Sequence, residues 1–418
     1  MKLVFQDPTL SLQLLRAIAE TYYKGADIGE CLSTAYRIKE GDFESWHKEW
    51  MKTANRVHTY ADNSLKDGHQ TSAREAYLRA SNYYRVAEFL LIDPEDPRIQ
   101  TTSGNSKECF AKAAQLLSPH IIVDSVEIPY EGTILPGYFY STADQEVLTK
   151  DKKPSSKPLL IAHGGFDSTI EELYSAAAAP ALERGYSCLT FEGPGQGAVI
   201  RKQKIPFRYD WEKVVSPAVD YALKVHSDED EEDGYRSIDP QRIALMGISM
   251  GGYLAARAAA FEHRLAACIL YNGVYDGYEA IASSLPKSLL DAIEHGEKRV
   301  VDTIMGILMD LDNNISFNMK HGMWTVGVNT PFELIEKSKE YTIRDIAHNI
   351  QCPTLVLEAE KDDSFPGQPK KVFDALSCRK KYIRFTEEEG AEEHCQCGAL
   401  ALCNQRIFDW LDKTFSFK

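Results

Sequence analysis

The run Gly247-Ile248-Ser249-Met250-Gly251-Gly252 sets a hydroxyl between small residues placed two before and two after it. A serine on so sharp a strand-to-helix turn is lifted clear of its sheet, and the flanking glycines let the backbone bend without a side-chain clash. Given a base to take its proton, such a hydroxyl attacks a carbonyl carbon. The base must be oriented by a carboxylate, and the negative charge that develops on the substrate oxygen needs backbone N–H donors.

Each of these partners has a candidate. The histidines after the serine are His263, His295, His321, His348 and His394, and only His394 falls past the last expected strand and before the last expected helix. The orienting acid should follow the preceding strand, in Leu357-Glu358-Ala359-Glu360-Lys361-Asp362-Asp363. Asp362 is the first choice and Asp363 the alternative, while Glu358 and Glu360 sit nearer the strand. One oxyanion donor should be the amide of Met250, the residue after the nucleophile. The other should come from His163-Gly164-Gly165-Phe166, through Gly165 or Phe166.

Two other signals point elsewhere and are set aside. Phe191-Glu192-Gly193-Pro194-Gly195-Gln196-Gly197 is rich in glycine, but its spacing does not match a dinucleotide loop and its proline interrupts a helix start. It reads as a loop. His394-Cys395-Gln396-Cys397 with Cys403 lacks the second pair that would complete a four-ligand metal set. Neither a cofactor nor a metal is expected.

The elements needed to hold these residues are an alternation of strands and helices. Strands are expected at Leu159–Ala162, Ser187–Phe191, Ile243–Met246, Ala266–Tyr271, Thr354–Leu357 and Lys381–Phe385, with helices at 170–184, 209–226, 253–260, 368–376 and 398–414. Such alternation means a mostly parallel sheet with helices on both faces. A hairpin, 121–129 with 134–140, precedes it. Residues 1–118 read as a helical region, with Ala73, Ala76, Tyr77, Ala80, Tyr83, Tyr84 and Ala87 on one face, Asp93-Pro94-Glu95-Asp96-Pro97 as a helix stop, and a second helix over 106–117. The tyrosine stripe suits a helix-pair core and could also roof a pocket. The organisation expected is 1–118 helical cap, 119–273 core, 274–345 helical insertion over the strand ends, and 346–418 core. The segment 149–158 and the acidic run 228–233 read as surface loops.

Composition limits the classes of function. The 418 residues carry a formal charge of −15, which repels phosphate backbones, so nucleic acid is excluded as an expected partner and a small-molecule substrate is favoured. No apolar run approaches the roughly 18 residues of a membrane span, and the start of the chain breaks too soon for a secretory signal. Nine cysteines, an odd number, suit free thiols in a cytoplasmic protein.

Taken together, His163 through Glu172, Phe191 through Gly197, the serine turn with Gly252, Arg264 through Cys268, and His394-Cys395 resemble a branch of the α/β-hydrolases. That branch includes 2,6-dihydroxypseudooxynicotine hydrolase and fungal hydrolases that shorten polyketide chains. The resemblance spans about residues 70–418 and implies an α/β-hydrolase fold, an N-terminal helical cap, a homodimer, and hydrolysis of a carbon–carbon bond beside a ketone. A carbanion leaving group then has to be stabilised and protonated, for which Asp276 and Glu279 are candidate donors. Ester or thioester hydrolysis and acyl transfer use the same acyl-enzyme and stay open as alternatives, with a non-catalytic binding role the least favoured.

Overall fold

The structure is a computed structural model that describes residues 1–418 apart from 2, 118–119, 143–155, 226–237, 284 and 417–418. The acidic run 228–233 and most of the loop 149–158 lie outside the described residues. Five helices come first: α1 (Pro8–Ala19), α2 (Ile28–Ala35), α3 (Phe43–Lys66), α4 (Gln70–Glu88) and α5 (Pro97–Gln115). Aspartates start four of them, with Asp7, Asp27, Asp42 and Asp96 each accepting from a first-turn amide. The last helix begins well before 106. Pro97 opens it, because a first-turn residue needs no amide donor, and Asp96 caps the turn by accepting from the Arg98 amide.

The tyrosine stripe of α4 is interior to this helical region. The hydroxyl of Tyr77 donates to Asp62, that of Tyr83 to Glu30 and that of Tyr84 to Asn55, and Trp46, Trp50 and Tyr83 pack in sequence as tilted rings with centroids 5.7 and 5.4 Å apart. It is helix-pair core rather than a pocket roof.

The strands β1 (Ile121–Tyr130), β2 (Thr133–Thr142), β3 (Lys157–His163), β4 (Ser187–Phe191), β5 (Ile238–Ile248), β6 (Ala267–Tyr271), β7 (Thr354–Ala359) and β8 (Lys380–Phe385) form one eight-stranded sheet ordered β1-β2-β4-β3-β5-β6-β7-β8. The β1–β2 and β2–β4 pairs are antiparallel and all others are parallel. Side chains alternate between its faces. Leu160, Ala162, Ala244, Met246, Leu355 and Leu357 point into one core, shared with the N-terminal helices and with the last helix, Leu400–Ser416. Leu159, Ile161, Leu245, Leu270 and Val356 point into the other, under α7 (Glu212–Val225) and α8 (Gly251–Ala259).

Between β3 and β4 the helix expected over 170–184 is present as one run, a π-helical turn at Tyr174–Ala178 that passes directly into α6 (Ala179–Leu182). Pro180 has no amide for the turn before it, and the Ile170 amide is drawn instead to the Glu192 carboxylate at 2.8 Å. Between β6 and β7 the insertion folds as α9 (Gly277–Ala282), α10 (Lys287–Glu294), α11 (Lys298–Leu311), α12 (Asn313–Val326) and α13 (Pro331–Ser338) around its own small core of Leu289, Ile293, Val301, Met305, Met319, Leu334 and Ile335. Its ends meet at a bridge between Asp276 and Thr342. The chain closes with α14 (Gln368–Ala375) and α15 (Leu400–Ser416). Among the described residues no helix is long and apolar enough to cross a membrane.

One buried ion pair fastens the N-terminal helices to the sheet. The Arg201 guanidinium donates to both carboxylate oxygens of Glu88, at 3.0 and 2.9 Å. Removing one partner of such a pair leaves a buried charge uncompensated. Arg201→Met is therefore expected to lower the unfolding free energy by about 3–5 kcal/mol in a urea titration, and the double change Glu88→Gln with Arg201→Met to recover part of that loss.

Candidate active site

The parallel strands carry three segments to one edge of the sheet, where open α/β sheets place their ligands. From β5 the chain enters the turn at Ser249, whose φ of 62° lies in the left-handed region. For a non-glycine residue that conformation costs about 1–3 kcal/mol, and it projects the side chain outward. The turn is held by its surroundings: the Ser249 amide donates to Tyr271 O at 2.8 Å, and the Gly252 amide to Ser249 O at 2.8 Å. Gly247 is obligatory, because a Cβ there would lie 1.9 Å from Gly251 O.

Beyond β8 the chain returns through a short 3₁₀ turn at His394–Gln396. The Ser249 hydroxyl shares a hydrogen bond with His394 Nε2 at 2.9 Å, and His394 Nδ1–H donates to Asp362 Oδ1 at 2.9 Å. Asp362 stands just past β7 and is buried. Its Oδ1 also accepts from the amides of Ser364 and Phe365, and its Oδ2 from the Asn272 amide nitrogen. Burial pushes the Asp362 carboxyl up, but the His394 charge and these hydrogen bonds win and leave it below its ordinary value. Burial likewise opposes charge on His394, yet the Asp362 carboxylate, aided by Cys395, holds the imidazole well above its ordinary 6.5.

The other acids of this segment go elsewhere. Asp363 is exposed, Glu358 accepts from Tyr382, and Glu360 accepts from the Glu387 amide. Of the other histidines, His263, His295 and His348 are exposed, and His321 belongs to the insertion. Asp276 and Glu279 make no hydrogen bond to Ser249, His394 or Asp362. Asp276 caps α9 and pairs with Arg344 at the root of the insertion, while Glu279 pairs with Lys371.

The glycine loop after β3 lies directly against the serine turn. A Cβ on Gly165 would sit 2.5 Å from Ile248 O and 2.8 Å from the Met250 amide nitrogen, so only glycine allows this approach. The Gly165 amide is engaged by the Ser168 hydroxyl at 3.3 Å. The amides of Phe166 and Met250 have no hydrogen bond to another described residue. Met250 is also the N-cap of α8, so the positive end of that helix faces the same point.

Several residues that the sequence reading passed over hold this loop. Gln196, in the glycine-rich segment after β4, donates to Gly164 O at 2.8 Å and Gly165 O at 3.0 Å, and accepts from the Gly193 amide. Glu192 accepts from the amides of Ile170 and Ala198. That segment is thus a brace for the loop, and its one signal in the sequence is glycine density beside a glutamine. From α1, Arg16 reaches Asp167 at 3.1 Å and Glu172 at 3.0 and 2.6 Å, while its guanidinium lies over the Phe89 ring. From α12, His321 donates through Nε2 to Phe166 O at 3.1 Å and stacks on Phe317, which stacks in turn on Phe89. Burial pushes the His321 imidazole down to about 4, so near neutral pH the ring is uncharged and can give Phe166 a single well-placed N–H.

Gly165→Ala, which forces the loop away from the turn, is expected to lower kcat by roughly 10²-fold or more, the size of a lost oxyanion donor. Thermal unfolding should change little by comparison, and wild-type activity in the variant would show that the close approach is unnecessary.

Residues 159–391 match the alpha/beta hydrolase family. The chain is 36% identical to 20-hydroxy-prefusarin hydrolase FUS2 of Gibberella moniliformis, over 99% of this chain and 98% of the relative. It is 35% identical to hydrolase acrC of Aspergillus aculeatus, over 97% and 96%. Its fold is similar to the crystal structure of the 2,6-dihydroxy-pseudo-oxynicotine hydrolase, with a TM-score of 0.71 and 25% identity over 96% of this chain and 97% of that one. A parallel sheet that delivers a strained serine, a histidine and a buried aspartate to one edge accords with these likenesses, and the chain belongs to the α/β-hydrolase family of enzymes.

Proposed function

We propose that this hydrolase uses Ser249 as nucleophile, His394 as general base and acid, and Asp362 as the orienting carboxylate, without a metal or an organic cofactor, to cleave a carbon–carbon bond beside a ketone. The observation that carries the reading is the unbroken line Ser249 Oγ, His394 Nε2, His394 Nδ1, Asp362 Oδ1, with 2.9 Å at both hydrogen bonds. In this reading the serine adds to the ketone carbon as its proton passes to Nε2. The amides of Met250 and Phe166 receive the oxyanion. Collapse of the adduct breaks the carbon–carbon bond, the carbanion takes the proton from Nε2, and water then releases the acyl group by the same base.

The bond type rests on the resemblance to the carbon–carbon branch and on the helices around the site. The relative FUS2 is named for 20-hydroxy-prefusarin and the structural neighbour for 2,6-dihydroxy-pseudo-oxynicotine. Phe166, Phe317, His321 and Phe365 gather aromatic surface around the loop and the imidazole, which suits a bulky, largely apolar ketone. A 1,3-diketone or polyketide-like chain supplies the stabilised carbanion that this cleavage requires.

Three outcomes are expected. Asp362→Asn should cost on the order of 10⁴ in kcat by leaving the imidazole in the wrong tautomer, whereas Asp363→Asn should cost little; the reverse ranking would move the role one residue along. Because the base must be neutral and its pKa is raised, kcat/KM should climb with pH through an inflection above the ordinary 6.5. Finally, aryl or polyketide 1,3-diketones, assayed with chelator present and followed by mass spectrometry of both fragments, should be cleaved with higher kcat/KM than p-nitrophenyl esters. Intact diketones beside rapid ester turnover would make the enzyme an esterase, and products formed with an added alcohol or amine in preference to water would make it an acyltransferase.

A further inference from the structure

The base has a second neighbour. Cys395 Sγ lies 3.3 Å from His394 Nε2, the nitrogen that faces Ser249 Oγ. One imidazole nitrogen therefore meets two side chains, an oxygen and a sulfur, while Nδ1 is committed to Asp362.

The backbone is bent to make this contact. Cys395 has φ 53° and ψ 31°, and Gln396 follows with φ 45°, two successive non-glycine residues in the left-handed region. Each costs about 1–2 kcal/mol relative to the right-handed conformation. The surroundings hold the distortion in place: Tyr271, at the end of β6, donates its hydroxyl to Cys395 O at 3.1 Å, and the Gln396 amide donates to Glu393 O at 2.8 Å. Gln396 and Tyr271 are buried, so neither has room to relax. Strain of this kind persists where a side chain has to be aimed.

We propose that Cys395 is a positioning residue whose thiol shares His394 Nε2 with Ser249 and steadies the imidazolium while the serine oxygen is bonded to substrate. The inference rests on the serine–histidine–aspartate reading above. In the neutral form of the base Nε2 carries a lone pair and accepts the serine O–H. When Ser249 Oγ bonds to the ketone carbon, its proton moves to Nε2 and the oxygen is no longer free to hold the ring. The sulfur then accepts a weak hydrogen bond from Nε2–H until the leaving carbon takes that proton. Neither a redox change nor a bond to sulfur is involved. Since the sulfur favours the charged imidazole, its removal should make the ring less basic.

The test is the pH dependence of inactivation by a fluorophosphonate, with the adduct mapped by peptide mass, in the wild-type chain, Cys395→Ala and Cys395→Ser. In all three the adduct is expected on Ser249. The inflection should fall to lower pH in Cys395→Ala by about half a unit or more, with turnover of any cleaved ketone losing roughly tenfold in kcat at nearly unchanged KM. Cys395→Ser, which keeps the volume and a lone pair, should lie nearer wild type and carries the test if the alanine variant is unstable. A purely packing role would leave the inflection in place. Coincident inflections in all three proteins, with Ser249 labelled, overturn the proposal and leave the hydrolytic reading standing. An adduct at another residue in the wild type overturns both.

Discussion

Everything at this site depends on one imidazole facing two ways. His394 must offer Nε2 to Ser249, 145 positions earlier in the chain, and Nδ1 to Asp362, 32 positions earlier. No local segment can satisfy both demands. The parallel register of β5, β6 and β7 satisfies them, because it fixes the height at which each strand ends and so the plane in which the three side chains meet. Asn272, at the end of β6, shows how finely this is arranged: it takes a φ of 67° and spends its amide on Asp362 Oδ2, leaving Oδ1 for the histidine.

The second requirement is a rigid donor loop, and charge and aromatic packing supply it from three directions. Gln196 holds the loop's carbonyls from within the core, Arg16 pins Asp167 from the N-terminal helices, and His321 binds Phe166 O from the insertion. Regions that contribute no nucleophile, base or acid thus belong to the site. In the proposed reaction, donors fixed before the substrate arrives need no reorganisation when the oxyanion forms, and losing one such donor typically costs about 10²–10³ in kcat. The ion pairs of Arg16 also neutralise Asp167 and Glu172, and the charge that the His394 imidazole feels most is that of Asp362.

The sequence was most informative where function needs a local backbone shape. The serine turn, the glycine loop and the order serine, acid, histidine are written in short runs, and the apolar strands before them fix their place at the sheet edge. Spacing favours Asp362 over Asp363, and the structure turns Asp362 inward to His394 and Asp363 out to solvent. Gln196, Asn272 and Arg16 were not readable, since each acts through a contact with a residue far away in the chain and leaves no periodic trace. One helix start was misjudged because a proline's effect depends on which end of a turn it occupies: α4 does end before Asp93, but Pro97 opens α5 well ahead of the expected 106. Asp276 and Glu279, singled out for their place near a strand end, are engaged in the structure as a helix cap and in an ion pair with Lys371.

The central claim is that Ser249 becomes covalently attached to the substrate's acyl fragment. Its most direct test is acid quenching of the enzyme during turnover of a cleaved ketone, followed by intact mass and peptide mapping. A mass increase equal to the acyl fragment is expected, confined to the peptide bearing Ser249 and absent in Ser249→Ala. Turnover without any adduct in Ser249→Ala at wild-type rate, or an acyl group carried by Cys395 or another residue, would contradict it.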